Sequence, residues 1–137
     1  MNRRLIRLSP CPKGYTYDQD KACTPEETVA RFQERLRATD LDVLREIRRI
    51  DNGRLDIPVY FSLCGDDARR VIGNKKQMGK GSTPAQSRAS ACMELAERFS
   101  FFSFVQDESN FLTGDYAAME AAGHPVLPVE TLLGSVH

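Results

Sequence analysis

The sequence contains no tryptophan and only two histidines, His124 and His137, in 137 residues. Its four cysteines, Cys11, Cys23, Cys64 and Cys92, form no Cys-x-x-Cys pair. With so few imidazoles and no paired thiols, a structural zinc site has little to be built from. No charge of one sign is in excess. Nineteen basic side chains balance nineteen acidic ones, so nothing global steers the chain toward nucleic acid or an anionic membrane. No apolar run is long enough to cross a bilayer. The basic opening MNRRLIRL is interrupted by Pro10, Pro12 and Lys13 after one short apolar patch, and has no signal-peptide core. Repeats, heptads and low-complexity tails are missing too. These absences describe a soluble chain, expected in the cytoplasm, with neither nucleic acid nor membrane as partner.

What is present is a 41% apolar share, enough for one domain with a real core. The most informative stretch is residues 79–104, GKGSTPAQSRASACMELAERFSFFSF. A Gly-Lys-Gly loop leads into a helix with Thr83 as its cap, Pro84 at the first position and Gln86 three residues past the cap. Ser87, Ser90, Glu94, Glu97 and Phe101 recur at helical spacing on one face. Ala89, Met93 and Ala96 form a second face, and Ala91, Leu95 and Phe102 a third. Being apolar or small nearly all round, this helix is expected to be buried over about 84–104 and central to the fold.

Buried carboxylates one turn apart need cations, donors or a metal to meet them. Two readings of Glu94 and Glu97 stand side by side. In one they face solvent and pair with Arg88 or Arg98. In the other they hold Mg²⁺, which takes few protein carboxylates and leaves positions open to phosphate oxygens. The glycines flanking Lys80 would allow close approach to phosphate, with Lys80 as a point charge. The pattern is not a P-loop, because its lysine lies between the glycines.

Residues 9–24 read as a polar, proline-containing loop leading into the first helix, with residues 5–8 as a short strand before it. Thr24, Pro25 and Glu27 form a capping box for a helix through about Arg37, with Val29, Phe32 and Leu36 as its packing face. Lys21 and Thr28 bracket its start. Residues 43–50 read as an extended segment, with a short helix over 41–46 as the rival, and Asp51-Asn52-Gly53 as a turn. Residues 55–63 hold a strand with Pro58 at its beginning or on an edge. Residues 68–77 read as a basic connecting loop, with a helical turn or short strand at 70–72. A short helix at 116–121 is stopped by Gly123, and His124 reads as an exposed loop residue. Cys92 reads as a small core residue, whereas Cys11 and Cys23 are open to redox chemistry. The fold expected is α/β or α+β, a small mixed or antiparallel sheet with helices packed on one side.

The Gly79-Lys80-Gly81 loop followed by Ser90, Glu94, Glu97 and Arg98 resembles the nucleotide-binding helix of the YcaO-domain family, whose signature is Ser-x3-Glu-x2-Glu-Arg after Gly-Lys-Gly. The resemblance extends to DNGRLDIPVYFSL and to DKACTPEETVARFQERL, and spans roughly residues 20–105. It implies an ATP-dependent enzyme that phosphorylates a peptide amide oxygen so that an azoline or thioamide can form. On this resemblance Glu94 and Glu97 would bind Mg²⁺ bridging the ATP phosphates. Lys21, Thr28 and Ser90 would position nucleotide, and Lys80 would offset charge. It implies a peptide or protein substrate, an accessory substrate-recognition or sulfur-donor protein, and a homodimer. Family domains are several hundred residues long, and their later half supplies further acidic ligands and arginines. The chain is therefore expected to be the amino-terminal portion, inactive alone and with no catalytic residue of its own assigned. The alternatives are a non-catalytic peptide-binding or accessory module and a structural fragment. Where the family often has Arg-Pro after the Ile-Pro-Val strand, this chain has Leu63-Cys64-Gly65.

Overall fold

The computed structural model describes residues 8–12 and 21–135. Residues 5–7 of the strand expected at 5–8 and residues 13–20 of the loop expected at 9–24 lie outside them. The chain divides after Gln106 into two units.

In the first unit, α1 (Pro25–Arg37) begins with the capping box that its sequence predicts. The Thr24 side chain accepts from the Glu27 amide at 3.1 Å, and the Glu27 carboxylate accepts from the Thr24 amide at 3.0 Å. Two strands follow, β1 (Leu44–Arg49) and β2 (Val59–Cys64), paired antiparallel with Arg49 opposite Tyr60. The extended reading of residues 43–50 therefore holds over its helical rival, and β2 starts directly after Pro58. Asp51 ties the connecting loop together. It accepts two hydrogen bonds from Arg49, at 2.7 and 2.8 Å, and one from the Val59 amide at 2.9 Å.

The Arg49 guanidinium, and after it the Val59 amide, hold the Asp51 carboxyl well below its ordinary value of 3.8. A carboxyl depressed on folding contributes stability that is fully present above that value and is lost progressively as the pH falls below it. Asp51→Asn should therefore lower the melting temperature at pH 7, and the gap to wild type should narrow by pH 3 in thermal melts. A gap equally wide at both pH values would remove the carboxylate from the account.

Residues 68–77 are more regular than the expected loop. The helical turn expected at 70–72 belongs to a longer helix, α2 (Asp66–Ile72), and a third strand follows, β3 (Lys76–Lys80), antiparallel to β2, giving sheet order β1-β2-β3. The cap of α2 is invisible to a local reading because it comes from 24 residues away. Gly65, at the cap position, makes no side-chain hydrogen bond. Asp42 instead accepts from the Asp66 amide at 2.8 Å, and Asp67 accepts from the Asp42 amide at 2.8 Å. A Cβ on Gly65 would lie 2.2 Å from the Asp42 carbonyl oxygen, so this junction admits only glycine.

Helix α3 (Pro84–Gln106) lies across all three strands, with α1 and α2 packed against it. Thr83 accepts from the Gln86 amide at 3.2 Å, while the Gln86 side chain reaches back to Ser82. The core is built mainly from small side chains. Val43, Cys64, Ala68 and Leu95 form one cluster, Val29, Ala89 and Cys92 another, and Phe32 packs against both. The helix is central as expected, but it is not buried all round. Ser87, Ala89, Ala91, Cys92 and Leu95 are covered, whereas Met93, Phe101, Phe104 and Val105 are exposed. The sheet and α1 cover only part of its circumference, and a helix of nearly uniform hydropathy does not announce which part.

The second unit, from Asp107, holds a short 3₁₀ turn, α4 (Tyr116–Ala121) and α5 (Val129–Gly134). Asp115 caps α4 by accepting from the Ala118 amide at 2.8 Å, and Gly123 ends it at φ 76°. His124 is half-buried rather than exposed. Among the described residues no helix is long and apolar enough to cross a membrane.

Candidate functional site

The two glycines flanking Lys80 do not have the role that the sequence suggests for them. Alternation along β3 turns Gln77 and Gly79 inward and Lys76, Met78 and Lys80 outward. A Cβ on Gly79 would sit 2.1 Å from the Ala91 nitrogen and 2.5 Å from the Ser87 carbonyl oxygen. One on Gly81 would sit 2.6 Å from the Ser87 nitrogen. The space beside each is filled by α3, not open for a phosphate. Two buried serines fasten this contact: Ser87 Oγ donates to the Gly79 carbonyl at 2.9 Å, and Ser62 Oγ donates to the Ala91 carbonyl at 2.8 Å. The glycines bring strand against helix, and that approach carries Lys80 to the rim of the α3 face bearing the glutamates.

There a cavity of about 730 Å³ opens. Lys21, Thr28, Lys80, Ser90, Glu94 and Glu97, drawn from the approach to α1, from α1 itself, from β3 and from α3, all line it. Cys23, Gln86 and Met93 line it as well. The sequence reading passed over these three, treating Cys23 as a loop thiol and Gln86 as a cap. Cys23 lies midway between Lys21 and the start of α1, and Met93 is three residues from Ser90 on α3. Both spacings were available signals.

The polar groups are engaged unequally. Glu94 is only partly buried and is paired with Arg98, the partner one turn on, and Glu97 is exposed. The solvent-facing reading therefore describes both carboxylates, and the burial expected from the helix pattern does not hold for either: the sheet and α1 cover other faces of α3. The Glu97 side chain is exposed and has no hydrogen-bond or ion-pair partner among the described residues, and the same is true of the side chains of Lys21 and Lys80. Thr28 Oγ1 donates to the Thr24 carbonyl at 2.9 Å, leaving its lone pairs facing outward as acceptors.

Among the described residues no group of three or more His, Cys, Asp or Glu side chains is placed to hold a metal. Two carboxylates without a third ligand suit a cation that completes its shell with water and phosphate oxygens. Mg²⁺ behaves this way and zinc does not. Two ammonium groups in the same cavity are the complementary feature for a polyanion. The donor set thus fits Mg²⁺ with a phosphate ester.

The thiols divide by burial. Burial pushes Cys92 up to about 11 against a smaller opposing pull from Arg88, and it raises Cys64 as well. Cys11 is exposed and Cys23 partly so, and all four are free thiols. Iodoacetamide should label Cys11 and Cys23 in the native protein, and Cys64 and Cys92 only after denaturation, as read by mass spectrometry. Fast native labelling of Cys92 would contradict its placement.

Residues 78–137 match the model of the YcaO cyclodehydratase family, described as ATP- and Mg²⁺-binding. An uncharacterized protein of Methanothermobacter thermautotrophicus is 34% identical over 92 residues, covering 65% of this chain and 22% of that protein. The structure of YcaO from Methanopyrus kandleri, bound with AMPPCP and Mg²⁺, is similar over 66% of this chain and 23% of its own, at 26% identity and a TM-score of 0.48. This chain therefore spans less than a quarter of the length of either protein.

Proposed function

From the match of residues 78–137 to the YcaO family model, we propose that the chain carries part of a YcaO domain and is the nucleotide- and Mg²⁺-binding portion of an ATP-dependent enzyme acting on peptide amides. The observation that carries the proposal is the convergence of Lys21, Thr28, Lys80, Ser90, Glu94 and Glu97 on one cavity. Glu94 and Glu97 would hold the divalent ion, with Glu94 exchanging its Arg98 partner for it. Bound there, Mg²⁺ would offset the negative charge of the triphosphate during phosphoryl transfer. Lys21 and Lys80 neutralise the remaining phosphate charge from outside α3. Ser90 Oγ donates to a phosphate oxygen, and Thr28 does the same once it releases the Thr24 carbonyl.

In the reaction class implied, a side-chain thiol or hydroxyl, or a sulfur source, adds to the carbon of a peptide amide. The amide oxygen then takes the γ-phosphoryl group from ATP, releasing ADP, and departs as phosphate to leave an azoline or thioamide. The substrate is a peptide or protein in the cytoplasm, and an accessory recognition or sulfur-donor protein and a second copy of the chain are its expected companions. The residues of this chain supply nucleotide placement, and no catalytic residue among them is assigned.

The test is titration of the chain with ATP, with and without Mg²⁺, by calorimetry or with a fluorescent nucleotide. Binding that needs Mg²⁺, and that slows alkylation of Cys23 while leaving Cys11 unaffected, is the expected result. No binding, or binding indifferent to Mg²⁺, would overturn the assignment.

A further inference from the structure

A second concavity, of about 380 Å³, lies between α1 and α3. Its size falls at the lower end of the range for ligand sites, about 300–1,000 Å³. Its walls are apolar, with Phe32 and Leu36 on α1 facing Ala96 and Phe99 on α3. Arg31 and Arg35, one helical turn apart, stand on the α1 side, and no acidic side chain lines it. Both guanidiniums are exposed, and neither has a carboxylate partner among the described residues; Arg31 donates only to the Cys23 sulfur, at 3.2 Å. Cys23, Thr28 and Met93 line this groove and also the cavity assigned to nucleotide, so the two adjoin.

Resting on the peptide-amide reading above, we infer that this groove seats the peptide substrate, and that it selects a segment in which an acidic side chain neighbours an apolar one. The apolar side chain enters between the two helices, and the carboxylate meets the guanidiniums, whose planar donor forks match it. Two cations with no carboxylate partner among the described residues, beside an apolar floor, are complementary to that combination and repel a basic peptide. A peptide held there lies directly beside the nucleotide cavity.

The experiment measures fluorescence anisotropy of three labelled peptides against the whole chain. One alternates glutamate with leucine, one has lysine for each glutamate, and one has serine for each leucine. The first should bind at least tenfold more tightly than either of the others, and Arg35→Glu should abolish the difference. Because Arg35 is exposed and does not line the nucleotide cavity, that variant should melt like wild type and keep its Mg²⁺-ATP affinity. Equal binding of the lysine peptide, or an unchanged preference in Arg35→Glu, overturns the inference. If Mg²⁺-ATP fails to bind while the peptide preference holds, the nucleotide reading falls and the groove stands. If Mg²⁺-ATP binds and no preference is seen, the groove alone falls.

Discussion

Gly79→Ala should be among the most damaging single substitutions in this protein, costing about 3 kcal/mol or more. The added methyl meets backbone atoms of α3, at 2.1 Å from the Ala91 nitrogen and 2.6 Å from its Cα. Backbone in the middle of a 23-residue helix cannot turn aside as a side chain can. The strand must instead retreat, stretching the Ser87–Gly79 hydrogen bond and opening the helix–sheet interface along β3. Against a total stability of about 5–15 kcal/mol for a domain, that loss shifts melting by many degrees. Gly73→Ala is the control. It has φ 79° but nothing within 4 Å of the added atom, so it should cost only about 1–2 kcal/mol, the left-handed backbone penalty. Thermal and urea melts of both variants decide the point. If Gly79→Ala melts with wild type, the close approach does not exist in solution.

Removing the paired carboxylates should have the largest effect on ligand binding. Glu94→Gln and Glu97→Gln are each expected to weaken Mg²⁺-dependent ATP binding by at least about tenfold, equivalent to about 1.4 kcal/mol. The double variant should bind ATP no better with Mg²⁺ than without. Folding should survive, because Glu97 is exposed and the Glu94–Arg98 pair is partly exposed, a setting in which such pairs contribute about 0–1 kcal/mol. Arg98→Gln separates the two possible causes: it breaks the same ion pair while leaving both carboxylates. If it mimics Glu94→Gln in nucleotide titrations, the ion pair matters and the ligand role of Glu94 is lost. Mg²⁺-ATP affinity equal to wild type in the double variant would end the metal assignment.

Capping chemistry made much of the fold readable. Thr24-Pro25-x-Glu27, the Pro58 at the entrance to β2 and Gly123 after α4 each act through neighbours a few residues away, and the structure places those elements where these signals do. Of residues 68–77 the sequence shows only a helical turn at 70–72, because the signals for the full α2 and for β3 are remote. The carboxylate that caps α2 belongs to Asp42, and β3 carries Gly79 and Lys80, residue types that isolated strand propensity disfavours. Pairing with β2 and contact with α3 outweigh that preference. Burial of α3 was overestimated for a related reason: small and aromatic residues on every side encode close packing without direction.

At the site, helical spacing alone puts Ser90, Glu94 and Glu97 on one face of one helix, a consequence of 3.6 residues per turn that no tertiary contact needs to enforce. That Lys21, Thr28 and Lys80 face the same cavity is a different kind of fact. They lie 10 or more residues from Ser90 along the chain and on other elements, and only the packing of α1 and β3 against α3 assembles them. The reassignment of Gly79 from a phosphate contact to a helix contact is tertiary too, because a glycine's missing side chain says that something approaches, and only the fold says what.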